Sequence, residues 1–223
     1  MSSRYTLFTI DDLQSRFHLE TPPSGLKPNY NISPTQLAPV IVSRGSKPTI
    51  EHMKWGLIAQ GAKDANSVFR YKTFNTRSEG IFSKNSTNQA IRHNRCLVPA
   101  NGYYEWQITP DGKKPYYIHA VDQPLFAIAG IYSSWIDPSG HEWGTYSIIT
   151  CESNKDVDKI GTRMPVILHP DDESQWLGEI DTVSPLYELT RIPQQGTLIP
   201  VAVGPDINSI KINNPKLILP FQP

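Results

Sequence analysis

The sequence predicts an α+β fold, a single domain spanning residues 1–223 with a curved, mostly antiparallel, barrel-like β-sheet and short flanking helices. Three observations predict it. Short runs rich in Val, Ile, Tyr, Phe and Trp recur between turn signals such as Asp111-Gly112 and Asp137-Pro138-Ser139-Gly140. Helical periodicity is confined to short windows. The length of 223 residues with 38% hydrophobic content suits one core-forming domain, and no repeat, low-complexity tract or linker interrupts it.

The elements follow in order. Arg4–Phe8 alternates loosely as a first strand. Thr9, three residues before Asp12, resembles a capping box with the shorter acid. It starts a helix over 10–19, with Leu13, Phe17 and Leu19 on its apolar face. Pro22, Pro23, Gly25 and Pro28 end that helix. Strands are expected at Leu37–Val42 and Thr49–Trp55, joined by a hairpin-like turn at Arg44–Lys47. Trp55-Gly56-Leu57-Ile58 folds back into the core, and 60–70 reads as an exposed loop. A short helix is expected over 86–94. The clearest pattern is the meander from Tyr103–Ile108 through Lys114–His119 and Leu125–Tyr132 to Glu142–Thr150. Asn154 is expected to cap a helix through Ile160. Met164–Leu168 reads as a strand, and Asp171–Leu177 and Ser184–Leu189 as helices, the second with Pro185 at its first position. Val201–Val203 and a helix at Ile207–Ile212 finish the fold.

Composition excludes several classes. Proline, 20 residues or about 9%, exceeds the usual ~5%. Two cysteines, Cys96 and Cys151, are too few for a disulfide scaffold, and each is expected to be a buried thiol in a reducing cytoplasm. No apolar run approaches the roughly 20 residues of a membrane span. No apolar leader segment is visible, so no secretory signal is expected and the expected location is cytoplasmic. The formal net charge is +0, but it is uneven. Residues 1–95 hold 13 Lys/Arg against 6 Asp/Glu, and the extreme is 70–95, with Arg70, Lys72, Arg77, Lys84, Arg92 and Arg95 against Glu79. A basic face steers a phosphate backbone; the alternative is that the two halves interleave their charges.

Four polar islands carry the candidate chemistry. At the terminus, loss of Met1 would expose the α-amine of Ser2, whose reference pKa near 8 leaves a neutral fraction able to attack an aldehyde. The alternative is a frayed end. Asn75, Arg77 and Glu79 share one face if the segment is extended, and an amide beside a guanidinium suits a sugar oxygen and a phosphate. The alternative is an Arg–Glu surface pair. Glu105 sits between large aromatics in Gly102-Tyr103-Tyr104-Glu105-Trp106, so desolvation should raise its pKa as a general acid requires. The alternative is an edge-strand Glu facing solvent. Arg163, in Ile160-Gly161-Thr162-Arg163-Met164-Pro165, suits an acid or a phosphate, with Gly161 alternatively a helix C-cap. The six histidines are scattered, and neither a metal nor another cofactor is expected. Trp55, Trp106, Trp135, Trp143, Tyr5 and Phe8 are read as core.

Together these islands resemble the SOS-response-associated peptidase family of abasic-site processing proteins. The matching residues are Arg4-Tyr5, Tyr30-Asn31-Ile32-Ser33-Pro34-Thr35-Gln36, Trp55-Gly56-Leu57, Asn75-Thr76-Arg77-Ser78-Glu79, Arg95-Cys96-Leu97-Val98-Pro99-Ala100, Gly102-Tyr103-Tyr104-Glu105-Trp106 and Arg163-Met164-Pro165. The resemblance covers nearly the whole chain. It implies binding to abasic sites in single-stranded DNA. It also implies a Schiff base between the N-terminal amine and the sugar aldehyde, closed to a thiazolidine by a cysteine thiol. Asn75 would position the sugar, Glu105 would shuttle protons, and Arg4, Arg77 and Arg163 would hold DNA. Aromatic and apolar loops near the cleft would stack or wedge against bases.

The departures bear on the reaction. Ser2 stands at the family's Cys, Ser3 at its Gly, and Gly161 at its His. Durable crosslinking is therefore expected to be lost, with DNA binding kept and a transient imine or slow β-elimination left open. His169, across the 164–168 strand, is a poor substitute for the missing imidazole. The competing readings are a peptidase limited to removing its own Met1, and a non-enzymatic single-stranded nucleic-acid binder. The chain is expected to act as a monomer without a membrane partner.

Overall fold

The computed structural model describes residues 3–45, 47–82, 85–180 and 182–221, the side chains of 85–88 excepted. Chain order runs β1 (Arg4–Leu7), α1 (Leu13–Phe17), β2 (Asn29–Ile32), β3 (Leu37–Ser43), β4 (Pro48–Trp55), α2 (Ser67–Tyr71), β5 (Asn75–Arg77), α3 (Ser78–Ile81) and α4 (Asn85–His93). It continues through β6 (Arg95–Ala100), β7 (Gly102–Thr109), β8 (Gly112–Ala120), β9 (Phe126–Ile136), β10 (Glu142–Glu152), β11 (Arg163–Pro165) and β12 (Ile167–Leu168). The last elements are α5 (Pro170–Leu177), α6 (Ser184–Leu189), β13 (Leu198–Ala202) and two 3-10 turns, Pro205–Asn208 and Pro215–Ile218.

The Val- and Ile-rich strands close a barrel. β4 pairs with β3, β3 with β6, β6 with β9, and β9 with β10. β10 returns to β4 in parallel, through Thr145 opposite Lys54 and Tyr146 opposite Trp55. Because β10 is eleven residues long, its far end also takes β5 in parallel on one edge and β11 on the other. The sheet is α+β and mostly antiparallel as expected, and these two parallel pairings make it mixed. A second sheet, β13-β8-β7-β1-β2, is antiparallel throughout and joins the chain's first strand to the meander.

The barrel interior is filled by aromatic and branched side chains. Tyr5 hydroxyl meets Tyr146 hydroxyl at 2.7 Å, Tyr5 lies edge-on to Trp55 at 5.2 Å, and the Trp55 indole N–H donates to Phe74 carbonyl at 2.7 Å. The polar tips of these three side chains are thus satisfied, as a low-dielectric core demands. Gly56 turns the chain at φ +135°, and a Cβ there would lie 2.4 Å from Val68, so Trp55-Gly56 allows the chain to double back and bury Ile58. Trp55 and Trp135 are core, whereas Trp106, Trp143 and Phe8 are only half-buried; Phe8 stacks on Tyr30 at 4.9 Å.

Several expectations are corrected. Asn154–Ile160 forms turns rather than a helix, although Asn154 Oδ1 does accept the Asp156 N–H at 3.1 Å; the other polar atoms of both side chains reach the 194–198 segment. Asn154 Nδ2 donates to Gln194 carbonyl at 2.9 Å, and the Asp156 carboxylate accepts the N–H groups of Gly196, Thr197 and Leu198. Gly161 is outside the left-handed region and caps no helix. Met164–Leu168 is two strands, since the chain crosses at Val166 from the edge of β10 to that of β9. Thr9 caps nothing: its hydroxyl accepts from Asn101 at 2.7 Å, and α1 begins after Asp12. The 60–70 loop contains the start of α2, and Ile207–Ile212 is replaced by the 205–208 turn. Arg95 is buried and adds nothing to a basic face. Its guanidinium donates to the carbonyls of Ile91 and Arg92 at the end of α4 and of Trp176 and Gly178 at the end of α5.

Candidate active cleft

Strand register builds this site. β1 runs antiparallel to β7, with Arg4 opposite Tyr104 and Tyr5 opposite Tyr103. Continuing that register brings Ser3 alongside Glu105, and the two line one pocket of about 370 Å³ with Arg4, Trp106, Ile108, Lys113 and Asn208. Ser2 lies outside the described residues. The next residue, Ser3, stands at the wall of the pocket.

Glu105 is 5% exposed. Burial pushes its carboxyl above the ordinary carboxylate range, and a backbone N–H from Trp106 at 3.3 Å pulls in the other direction. The edge-strand reading is therefore replaced by a desolvated acid. Folding raises this pKa, so the folded chain holds the proton more tightly than the unfolded one. The stability contributed is full below the unfolded pKa and is lost as pH rises through the folded value. Glu105→Gln is accordingly expected to raise stability at neutral pH, by up to about 1 kcal/mol, and to lose that advantage in acid. Thermal melts at both pH values check this. A neutral-pH melting temperature at or below the parent's would contradict it.

Arg4 is fixed rather than free to sweep. Its guanidinium donates to Asn31 Oδ1 at 3.1 Å and to Ile207 carbonyl at 2.8 Å, and Asn31 Nδ2 in turn donates to the Ser209 and Ile212 carbonyls. The C-terminal segment thus locks a cation beside the pocket. Burial lowers the Arg4 pKa from its ordinary value. The same segment supplies Asn208, whose Oδ1 accepts the Trp106 indole N–H at 2.9 Å.

The other predicted residues gather at the far end of β10. β5 places Asn75 beside Ile148 and Arg77 beside Thr150. Asn75 and Arg77 share a face because Thr76 points away, its hydroxyl meeting that of Ser147 at 2.8 Å. Glu79 does not share that face, since α3 begins at Ser78. It pairs with Arg163 at 2.5 and 3.0 Å, and Arg163 also donates to Thr150 carbonyl at 2.6 Å. The hydrogen bonds from Arg163 hold the Glu79 carboxyl below its ordinary value. Arg77 is exposed, while Arg163 is tied to the protein. Gly161 packs directly on Glu105. His169 caps α5 and lines a different pocket, with Ala120, from the one that holds Glu105 and Lys113. Both cysteines are buried, and burial drives the Cys151 thiol to about 12, so neither replaces a thiol at position two.

Sequence reading missed Ile108, Lys113 and Asn208, which arrive from a hairpin tip and a C-terminal turn. It also left unassigned the exposed Phe69 and Tyr71, which interleave with Arg70 and Lys72 of the basic run and lead into β5. Aromatic–basic interleaving is the one local signal that marks the latter.

The barrel carries a second sheet whose strand β1 sets Ser3 and Arg4 beside the buried Glu105, and this fold and cleft define the class to be matched. Comparison with known proteins gives the family. The profile of the SOS response associated peptidase (SRAP) family matches residues 1–210, and the chain belongs to that family. It is 34% identical over 223 residues to the abasic site processing protein YoqW of Bacillus subtilis (strain 168), covering 98% of this chain and 99% of the relative. It is 32% identical to the abasic site processing protein HMCES of Gallus gallus, covering 88% of this chain and 67% of that protein. A crystal structure of a Bacteroides thetaiotaomicron protein superposes with TM-score 0.88 at 28% identity, covering 98% of this chain and 99% of the other.

Proposed function

We propose that this chain binds single-stranded DNA at abasic sites and engages the lesion reversibly, without a durable crosslink. The observation that carries the reading is the position of Ser3, the residue after Ser2, in a pocket walled by the buried Glu105. Once Met1 is removed, the Ser2 amine attacks the aldehyde carbon of the ring-opened sugar. Glu105 protonates the departing oxygen, and water leaves as the imine forms. Asn75 holds the sugar. Arg4 and Arg77 hold flanking phosphates, with Arg163 fixing the end of the cleft through Glu79. A serine hydroxyl closes only an oxazolidine, which reopens readily, where a thiol closes a thiazolidine. Gly161 supplies no imidazole, so proton transfer rests on Glu105.

The test is fluorescence anisotropy with one oligonucleotide, intact or carrying a single abasic site, between low and moderate salt. The abasic strand is expected to bind tighter, both affinities should fall with salt, and borohydride should trap an adduct with the abasic strand alone. Equal affinities with no trapped adduct would identify a plain single-strand binder instead.

A further inference from the structure

Gly161 lies in a turn that is fixed from several sides. Ser153 hydroxyl donates to its carbonyl at 2.6 Å, its N–H donates to Val157 carbonyl at 3.1 Å, and Gln107 Nε2 holds Lys159 carbonyl at 2.9 Å. Asp156 and Asn154 tie the same turn to the segment before β13. Its backbone is in no region that demands glycine, so glycine is needed here for space. A Cβ at 161 would lie 2.7 Å from Glu105 Cγ, 3.1 Å from Cδ and 3.6 Å from Oε1. These bonds hold the turn while the Glu105 side chain can rotate, so a side chain at 161 displaces Glu105 first.

We propose that Gly161 is a positioning residue: it leaves the notch into which Glu105 folds, and any side chain there swings the carboxylate toward the mouth of the pocket. Its link to lesion chemistry rests on the function proposed above. Its effect on Glu105 does not. The described ionisable groups around that carboxylate are Arg4 from β1, Lys113 from β8, Tyr103 on its own strand, and Tyr116 as its register partner on β8. None of them belongs to the turn that carries Gly161, so a substitution there changes the burial of Glu105 without removing a charge.

The experiment follows the carboxyl carbon of Glu105 by NMR in the full chain carrying 13C-labelled glutamate, with the resonance assigned by its loss in Glu105→Gln. In Gly161→Ala and Gly161→Ser the titration midpoint is expected to fall by about one pH unit toward that of a solvated carboxylate. The pH profile of borohydride trapping should shift with it. An unchanged midpoint in both folded variants overturns the proposal. If the midpoint falls while no protein, parent included, gives a trapped adduct, Gly161 still positions Glu105 and the lesion chemistry is what fails.

Discussion

Ser2→Cys is expected to convert a protein that leaves no heat-stable band with abasic single-stranded DNA into one that leaves a strong band on a denaturing gel. The reason is the second ring-closing bond. Both side chains offer a nucleophile two bonds from the imine nitrogen's carbon, so the same five-membered ring is reachable. A thiol with a reference pKa near 8.5 is partly thiolate at neutral pH and is intrinsically more nucleophilic than a hydroxyl. The sulfur ring also resists hydrolysis. A heat-stable band from the parent would show that the thiol is dispensable. No band from Ser2→Cys, despite tight binding, would point to the proton-transfer apparatus and its missing imidazole as the limiting loss.

The largest stability effect is expected at Arg95. Arg95 is 6% exposed, and its guanidinium meets four main-chain carbonyls, two at the end of α4 and two at the end of α5. Those carbonyls carry the negative ends of two helix dipoles, so the cation satisfies acceptors that those helices leave open. Burial lowers the Arg95 pKa, with Tyr132 acting in the opposite direction, so the four bonds act against a desolvation cost. Arg95→Met keeps the stem but leaves the carbonyls without donors. A loss of about 3–5 kcal/mol is expected, read from urea unfolding with an unchanged m-value. A loss below about 1 kcal/mol would mean water replaces the guanidinium at little cost.

What could be read from the chain divides by range. The β7–β8 hairpin is legible because Asp111-Gly112 specifies its own turn, and the strands either side alternate. The desolvated Glu105 is legible because its aromatic neighbours are adjacent in sequence. The parallel seams of β10 with β4 and β5 are not, since no local pattern encodes which distant strand arrives alongside. Arg95 reads as one more cation in a basic run, and only the helix ends converging on it reveal its burial. Asn208 and Lys113 are ordinary surface residues until the second sheet carries them to the pocket. The helix expected at 154–160 is replaced by turns tied to the 194–198 segment through Asn154 and Asp156, a distant contact that no local pattern shows.

β10 bonds along both edges to four other strands while also flooring the region where Asn75, Arg77 and Arg163 collect. Local melting of that floor would breach the barrel wall itself, so it shares the whole molecule's resistance to opening. Under the proposed function a damaged nucleotide would therefore meet a preformed mould, and adaptation to its shape would fall to the hairpin tip and the loops around the rim.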